Sequence, residues 1–334
     1  MSFENVHNTI ERMIDEETVP GASFSFINGM KVNGFVQGYK SIKPQKTKLL
    51  PNQLYDIASL TKVVGTLPVI MQLIEQEKIN LNDSITQFLP EWKFPQVTIR
   101  HLLTHTSDIE GYIPNRNQMN KGQLRAALLN LHIGEHFGKK MIYQDANYIF
   151  LGWIAGVITG LPIQPLIKEM VLLPLALNDS TFHPEPQKTV PTTFDEKTKT
   201  NLVGIVHDPK AEILGSSCGS AGLFSTQRDL EKYIQWMLQL TFPGKVYTNE
   251  MFDAMYKDQT PMNDGSRSFG WRLDEYHGHP FIWQSGYTGM VMVIVREKRS
   301  GFVFLSNRVH PQVSQKFMQE RNLMIDQYLE ELFK

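Results

Sequence analysis

The sequence predicts an α+β protein: one antiparallel sheet flanked by helices from the two chain ends, with a mostly helical region inserted into it. Apolar residues alternate in period two near residues 22–39 and again beyond residue 270, the mark of strands. Between those runs, from about residue 61 to residue 200, the apolar spacing is mostly helical. Helical patterns also open and close the chain, at residues 3–18 and 312–333. The simplest closed arrangement pairs both strand sets in one sheet. That division assigns residues 1–60 and 201–334 to a sheet domain and 61–200 to a helical inserted domain, and a chain of 334 residues is long enough for two such units.

Taken in order, Phe3, Val6, Ile10, Met13 and Ile14 fall at helical spacing and Pro20-Gly21 ends the helix. Two alternating runs follow, 22–27 and 32–39, separated by Asn28-Gly29, a strong hairpin signal. After Pro51 an apolar helix pattern begins near Ser59, and Pro68 inside it predicts a kink or an early end. Helices are predicted near 84–89, 99–104, 121–130, 147–157 and 161–171, then a polar loop over 184–200 and a helix over 226–240. Residues 270–276 and 281–284 form one predicted strand pair, and 290–296 and 302–306 another. No internal repeat or low-complexity segment interrupts this order.

Composition excludes several functions. Lys plus Arg (33) nearly cancels Asp plus Glu (34) and no basic block stands out, so no nucleic-acid partner is predicted. The single cysteine, Cys218, excludes an intrachain disulfide and reads as a small buried residue. The first residues lack the basic and apolar regions of a leader, which predicts a cytoplasmic protein. The most apolar run, 148–163, is shorter than the ~20 residues of a membrane span and is read as a core helix, with Gly152, Gly156 and Gly160 allowing close packing.

The chemistry-bearing stretch is Asp56-Ile57-Ala58-Ser59-Leu60-Thr61-Lys62. A helix starting near Ser59 puts Ser59 and Lys62 on one face, a hydroxyl beside an amine. Alone, this spacing also fits a capping serine with a surface lysine. His101 and His105 are four apart, as in a two-histidine metal pair, but no glutamate follows His101 and a structural role is favoured. His207 with Asp208 has the residue types of a triad with Ser59 and is read as structural or supporting.

In company the motifs resemble the serine beta-lactamase-like superfamily: class C beta-lactamases, penicillin-binding DD-peptidases and related esterases. Ser59-Leu60-Thr61-Lys62 resembles its first motif, and Arg100 to Ser107 the stretch ahead of the second. Tyr143-Gln144-Asp145 stands where the family has Tyr-x-Asn, and Gln284-Ser285-Gly286 where it has Lys-Thr-Gly or His-x-Gly. Segments 206–211, 219–225 and 306–311 resemble the esterase and peptidase branches. The matches run in family order from about residue 20 to residue 311.

The resemblance implies a beta-lactamase/transpeptidase-like fold and a serine hydrolase that needs no cofactor and no metal. Ser59 would form an acyl-enzyme, Lys62 and Tyr143 would share the base role, and the backbone N–H groups of Ser59 and Tyr287 would hold the oxyanion. Either Lys62 or Tyr143 can be the base. A phenol takes a proton at neutral pH only beside a cation. Asp145, Gln284, Ser285, Gly286 and Trp283 would meet the substrate: a small ester, amide or peptide, with beta-lactams as further candidates. Two departures matter. Asp145 adds a carboxylate that can pair with Lys62 and raise its pKa, and Gln284 replaces a cation that binds a substrate carboxylate, which disfavours efficient lactamase or DD-carboxypeptidase action unless Arg308 or another cation reaches the site. The alternatives are a penicillin-binding DD-carboxypeptidase or weak beta-lactamase, and a non-catalytic binding or sensor protein on the same fold.

Overall fold

The computed structural model describes residues 3–244 and 246–334. Helix α1 (Glu4–Asp15) buries Val6, Ile10 and Met13 along one face, the stripe a 3.6-residue repeat generates. The chain then enters β1 (Gly21–Asn28), returns in β2 (Lys31–Ser41) and adds the short β3 (Thr47–Lys48). Asn28 pairs with Lys31, so the loop residues are Gly29 and Met30, one place later than the sequence pattern suggested. Gly29 has φ +59°, which hairpin turns require and glycine adopts without a Cβ clash.

The middle of the chain is helical. Beyond Ser59 a π-turn spans Lys62–Thr66 and passes into α2 (Leu67–Glu75). Pro68 falls in the first turn of α2, just past the π-turn, where its missing N–H leaves no α-helical bond broken. Leu67 N–H bonds to Lys62 O, and Val63 O, left without a backbone donor, accepts from Tyr233 Oη at 2.6 Å. Helix α3 (Asp145–Thr159) crosses the backbone at Gly219, where a Cβ on Gly152 would stand 3.1 Å from Gly219 N. Gly156 makes no such approach, and Gly160, φ +76°, ends the helix.

Among the described residues no single helix is long and apolar enough to cross a membrane; the bent pair Asp145–Thr159 and Ile163–Leu172 passes only as a pair. Its Ile149, Phe150, Ile154, Ile163 and Ile167 are buried in the core. The polar stretch 184–200 contributes one strand, Phe194–Asp195, of a small hairpin with Thr200–Asn201. Two helices, Pro209–Leu214 and Asn249–Ala254, were missed because six residues are under two turns, too short for a period to register.

Helix α4 (Gln227–Met237) leads to β4 (Arg272–Tyr276), β5 (His279–Gly286), β6 (Met290–Val295), β7 (Ser300–Ser306) and the final α5 (Phe317–Phe333). All seven strands form one sheet in the order β4-β5-β6-β7-β1-β2-β3. Pairing of β1 with β7, Ala22 opposite Ser306 through Asn28 opposite Ser300, joins the chain's two ends. Strand β6 divides by parity: Val291, Val293 and Val295 enter the core that includes α1 and α5, and Met290, Met292 and Ile294 enter the core shared with the helical region. Burial on both faces explains its unbroken apolar run.

Tyr233→Phe is expected to cost about 1–2 kcal/mol in urea unfolding, because it leaves a buried carbonyl without its donor. An unchanged unfolding midpoint would show that the Val63 carbonyl needs no partner.

Candidate active site

The site begins at a strained lead-in. Asp56 is buried and its carboxylate accepts from Ala58 N at 2.9 Å and His207 N at 2.7 Å, while Asp56 O accepts from Thr288 Oγ1 at 2.7 Å. Burial raises the Asp56 pKa to about 6, against the lowering effect of those two N–H donors. Ala58 takes φ +45°, a left-handed backbone that a residue with a Cβ adopts only when its surroundings hold it there. Ser59 follows at once, partly exposed at the start of the helical run.

Lys62 is buried, 1% exposed, and its ammonium spends all three protons. Nζ donates to Ser59 Oγ at 2.9 Å, Asp145 Oδ1 at 2.8 Å and Ser220 O at 2.8 Å. Burial opposes its charge, but Asp145 and Tyr143 outweigh burial and the pKa lies above the usual lysine value. So held, Lys62 is a cation that donates to Ser59.

Asp145 sits between two lysines: its other oxygen meets Lys210 Nζ at 3.1 Å. Burial acts against the carboxylate, yet Lys62 and Lys210 together hold its pKa well below the ordinary range. Lys210 also meets Asp208 at 3.1 Å, and Asp208 caps its own helix through Lys210 N and Ala211 N. Asp208 is thus committed, and among the described residues no hydrogen bond joins it to the His207 ring, which instead stacks on Tyr287 at 5.5 Å. Among the described residues no hydrogen-bonded Ser-His-Asp triad forms.

Tyr143 lies under Lys62, whose Nζ is 5.1 Å from the ring centroid, and its Oη is buried without a hydrogen-bond partner. His105 stacks on the same ring at 4.4 Å. His101 and His105 share no helix face, because the helix ends at Leu103 and His105 lies beyond it at φ +56°. His101 instead accepts from Thr98 N at 3.2 Å as part of that helix's capping box. Among the described residues no group of three potential metal ligands assembles. Cys218 is buried and burial pushes its thiol up, so it is held as the unreactive thiol.

The third motif closes against this centre. A Cβ on Gly286 would stand 2.6 Å from Ile57 O, so only glycine lets β5 approach the lead-in to Ser59. Among the described residues neither Ser59 N–H nor Tyr287 N–H has an acceptor, which leaves two backbone donors at the opening. Gln284 is buried. Trp283 and Ser285 point to the opposite face of β5 from Ile282 and Gln284, Trp283 into the core beneath the terminal helices. There Arg321 Nη1 from α5 reaches Ser285 Oγ at 3.4 Å, and Arg272 and Arg321 lie 4.8 Å and 5.3 Å from the Trp283 ring. Arg308 lies 4.7 Å from the Tyr287 ring. A cavity of about 540 Å³ includes Met141, Arg272 and Trp283, and one of about 150 Å³ ends on Asp145 and Lys210.

The beta-lactamase family model matches the chain over residues 6–324. The chain belongs to the beta-lactamase family. This is a family of serine hydrolases. A curated relative from Escherichia coli (strain K12), named "Putative D-alanyl-D-alanine carboxypeptidase", is 28% identical, with 81% of this chain and 72% of that protein aligned. The fold is shared with a class C beta-lactamase solved with cefoxitin (TM-score 0.78, 19% identity, 98% of each chain). It is also shared with an octameric penicillin-binding protein homologue from Pyrococcus abyssi (TM-score 0.74, 22% identity, 92% of this chain and 74% of that one). EstCE1, a hydrolase with promiscuous acyltransferase activity, has a TM-score of 0.76 at 16% identity over 97% of each chain.

Sequence reasoning missed Lys210, Arg267, Arg272 and Arg321 as neighbours of the site. Lys210 lies inside the quoted 206–211 segment, so its place beside the motif residues was the available signal; the three arginines carry none. Asp145→Ala, which leaves two lysines without their shared carboxylate, is expected to destabilise the protein by about 3 kcal/mol. Asp145→Asn keeps an acceptor for Lys62 and loses less. Because the folded Asp145 pKa is depressed, its contribution is present above the unfolded value of about 4 and is lost as pH falls through the folded one. Denaturation of wild type and Asp145→Ala should therefore differ by a constant amount from about pH 5 to 8 and converge in acid; a gap that widens in acid would contradict the pairing.

Proposed function

We propose that this protein cleaves an ester or amide through an acyl-enzyme on Ser59. The observation that carries the reading is the buried Lys62 ammonium, anchored by Asp145 and Ser220 O and aimed at Ser59 Oγ from 2.9 Å. Ser59 Oγ attacks the carbonyl carbon as its proton passes to the Tyr143 oxygen. The tetrahedral oxyanion takes hydrogen bonds from the backbone N–H groups of Ser59 and Tyr287. Tyr143 returns the proton to the leaving group as the C–O or C–N bond breaks. Water then repeats the sequence and frees the acid. Lys62 stays charged throughout, steering the Ser59 oxygen and offering positive charge to Tyr143. Gln284 offers the substrate a neutral hydrogen bond. A cation in place of a free amine limits base strength, so esters, whose leaving groups need less protonation, should turn over faster than amides.

A second reading, a DD-carboxypeptidase or a weak beta-lactamase, is favoured by one contact. Arg321 brings to Ser285 the positive charge that Gln284 lacks, and the carboxypeptidase name of the curated relatives points the same way. Burial, with Arg272 and Arg308 adding repulsion, lowers the Arg321 pKa only to about 10, so it is charged at neutral pH. Arg321→Ala is expected to raise KM about tenfold for a substrate with a carboxylate near the scissile bond, while leaving a neutral ester unchanged. Equal losses on both substrates would remove Arg321 from recognition.

The deciding experiment is intact-mass analysis of wild type and Ser59→Ala after exposure to a fluorophosphonate probe and, separately, to a penicillin. A probe adduct on wild type that is absent from Ser59→Ala is the expected result, and a penicillin adduct would add the lactamase and peptidase reading. Folded wild type that takes neither reagent would overturn the hydrolase reading in favour of a binding protein.

A further inference from the structure

Arg267 is a fully buried cation whose guanidinium makes one hydrogen bond, from Nη1 to Gly270 O at 2.8 Å. Among the described residues its Nε and Nη2 find no acceptor. Those two N–H groups share one edge of the planar guanidinium, the fork that grips an anion from the side. Burial, with Arg272 adding repulsion across the Arg267–Arg272 bridge, lowers the pKa only to about 10, so the group is charged at neutral pH. No carboxylate stands among the groups that favour its charge. The ionised groups nearby already balance one another: Asp145 lies between Lys62 and Lys210, and Lys210 also meets Asp208. The charge on Arg267 is left over.

The side chains beside it bring more unpartnered donors. His105 and Tyr148 are fully buried, and their rings stack at 5.3 Å. His105 accepts at Nδ1 from Gln144 N at 3.3 Å, so its proton is on Nε2, and burial followed by Arg267 and Lys62 holds the ring neutral. That Nε2 has no partner among the described residues. Burial holds Tyr148 as the neutral phenol, and its Oη is likewise buried without a partner. Arg267 and Tyr148 meet at Gly270: its carbonyl takes Arg267 Nη1, and a Cβ on it would stand 2.5 Å from Tyr148 Oη. Four unpartnered N–H and O–H groups on three sealed side chains thus gather beside an unpaired positive charge. A water would satisfy some of the donors but leave the charge uncompensated. An acceptor that is itself negative answers both needs. Since all three side chains are closed to solvent, that acceptor is small.

We infer that Arg267, His105 and Tyr148 form a buried site for one small monovalent anion of the halide class, which is chloride in ordinary salt. The anion takes the free edge of Arg267, His105 Nε2–H and the Tyr148 hydroxyl. It braces three segments that already touch through the backbone, where Gly270 N donates to Leu103 O at 2.9 Å: the loop before β4, the turn after Leu103, and α3. The site does not depend on the reaction proposed at Ser59.

The test is crystallographic and thermal. Wild type crystallised with bromide in place of chloride is expected to show an anomalous peak within hydrogen-bond reach of Arg267 Nε and Nη2. Melting is followed in parallel as chloride replaces gluconate, an anion too large for the site, at constant ionic strength. A rise from about 1 to about 100 mM chloride is expected to raise the wild-type midpoint by about 4 °C. Arg267→Met, which removes the charge, should not respond. Should that variant fail to fold, the bromide map of wild type decides. Density at the site without anomalous signal is a water and overturns the inference. Bromide peaks confined to surface cations, an adventitious ion only, overturn it as well. So does a wild-type midpoint indifferent to chloride, or a chloride response that Arg267→Met shares in full.

Discussion

The buried ammonium of Lys62 is the constraint on which the site depends. An ammonium removed from water needs an acceptor for each of its three protons, and Lys62 draws them from three separate segments: Ser59 Oγ one turn back, Asp145 at the head of α3, and Ser220 O in the segment that crosses α3. Meeting that need fixes the segments relative to one another. Gly219, where a Cβ would meet Tyr148 O at 2.4 Å, lets the Ser220 carbonyl come near enough, and Gly286, 2.6 Å in the same sense from Ile57 O, lets β5 lie against the lead-in. The glycines and the lysine are one requirement seen from two sides.

The sheet gives this arrangement its rigidity. Strand β5 brings the third motif and stands beside β6, whose six residues are buried on both faces. Asp56 then ties the lead-in to the His207 and Thr288 loops through two hydrogen bonds and accepts a third from Ala58 N. Left-handed backbone at Ala58 is held by the Ala58 N–H bond to Asp56, and among the described residues the Ser59 N–H has no acceptor.

Sequence made the sheet, its terminal helices and the order of motifs legible because each rests on a local period or a short spacing. The β1–β7 pairing follows from strands at both ends and helices between. The Lys62–Asp145 pair was legible too, since the two residue types sit at motif positions. Helices of six residues were not, having too few positions to display a period. His101 and His105 do not share a face, because a spacing of four means one only inside a helix, and the helix stops at Leu103. The cations were least legible. Arg267 and Arg321 reach the site from a loop before β4 and from α5, places where no spacing relates them to Ser59.

That last point changes how Gln284 reads. Judged by motif position alone, a neutral amide where relatives of this type carry a cation suggests a site stripped of positive charge. The charge is instead distributed: Lys62 and Arg267 near the Tyr143 ring, Arg321 at Ser285, Lys210 beside Asp145. Coulombic attraction depends on distance and local dielectric, not on which element bears the charge, so cations from other elements can serve the same atoms. Their positions differ in one respect that matters. Arg267 is sealed from solvent, whereas Arg321 lines a cavity. On the proposed reaction, substrate preference would change at Arg321 without disturbing the chemistry at Ser59.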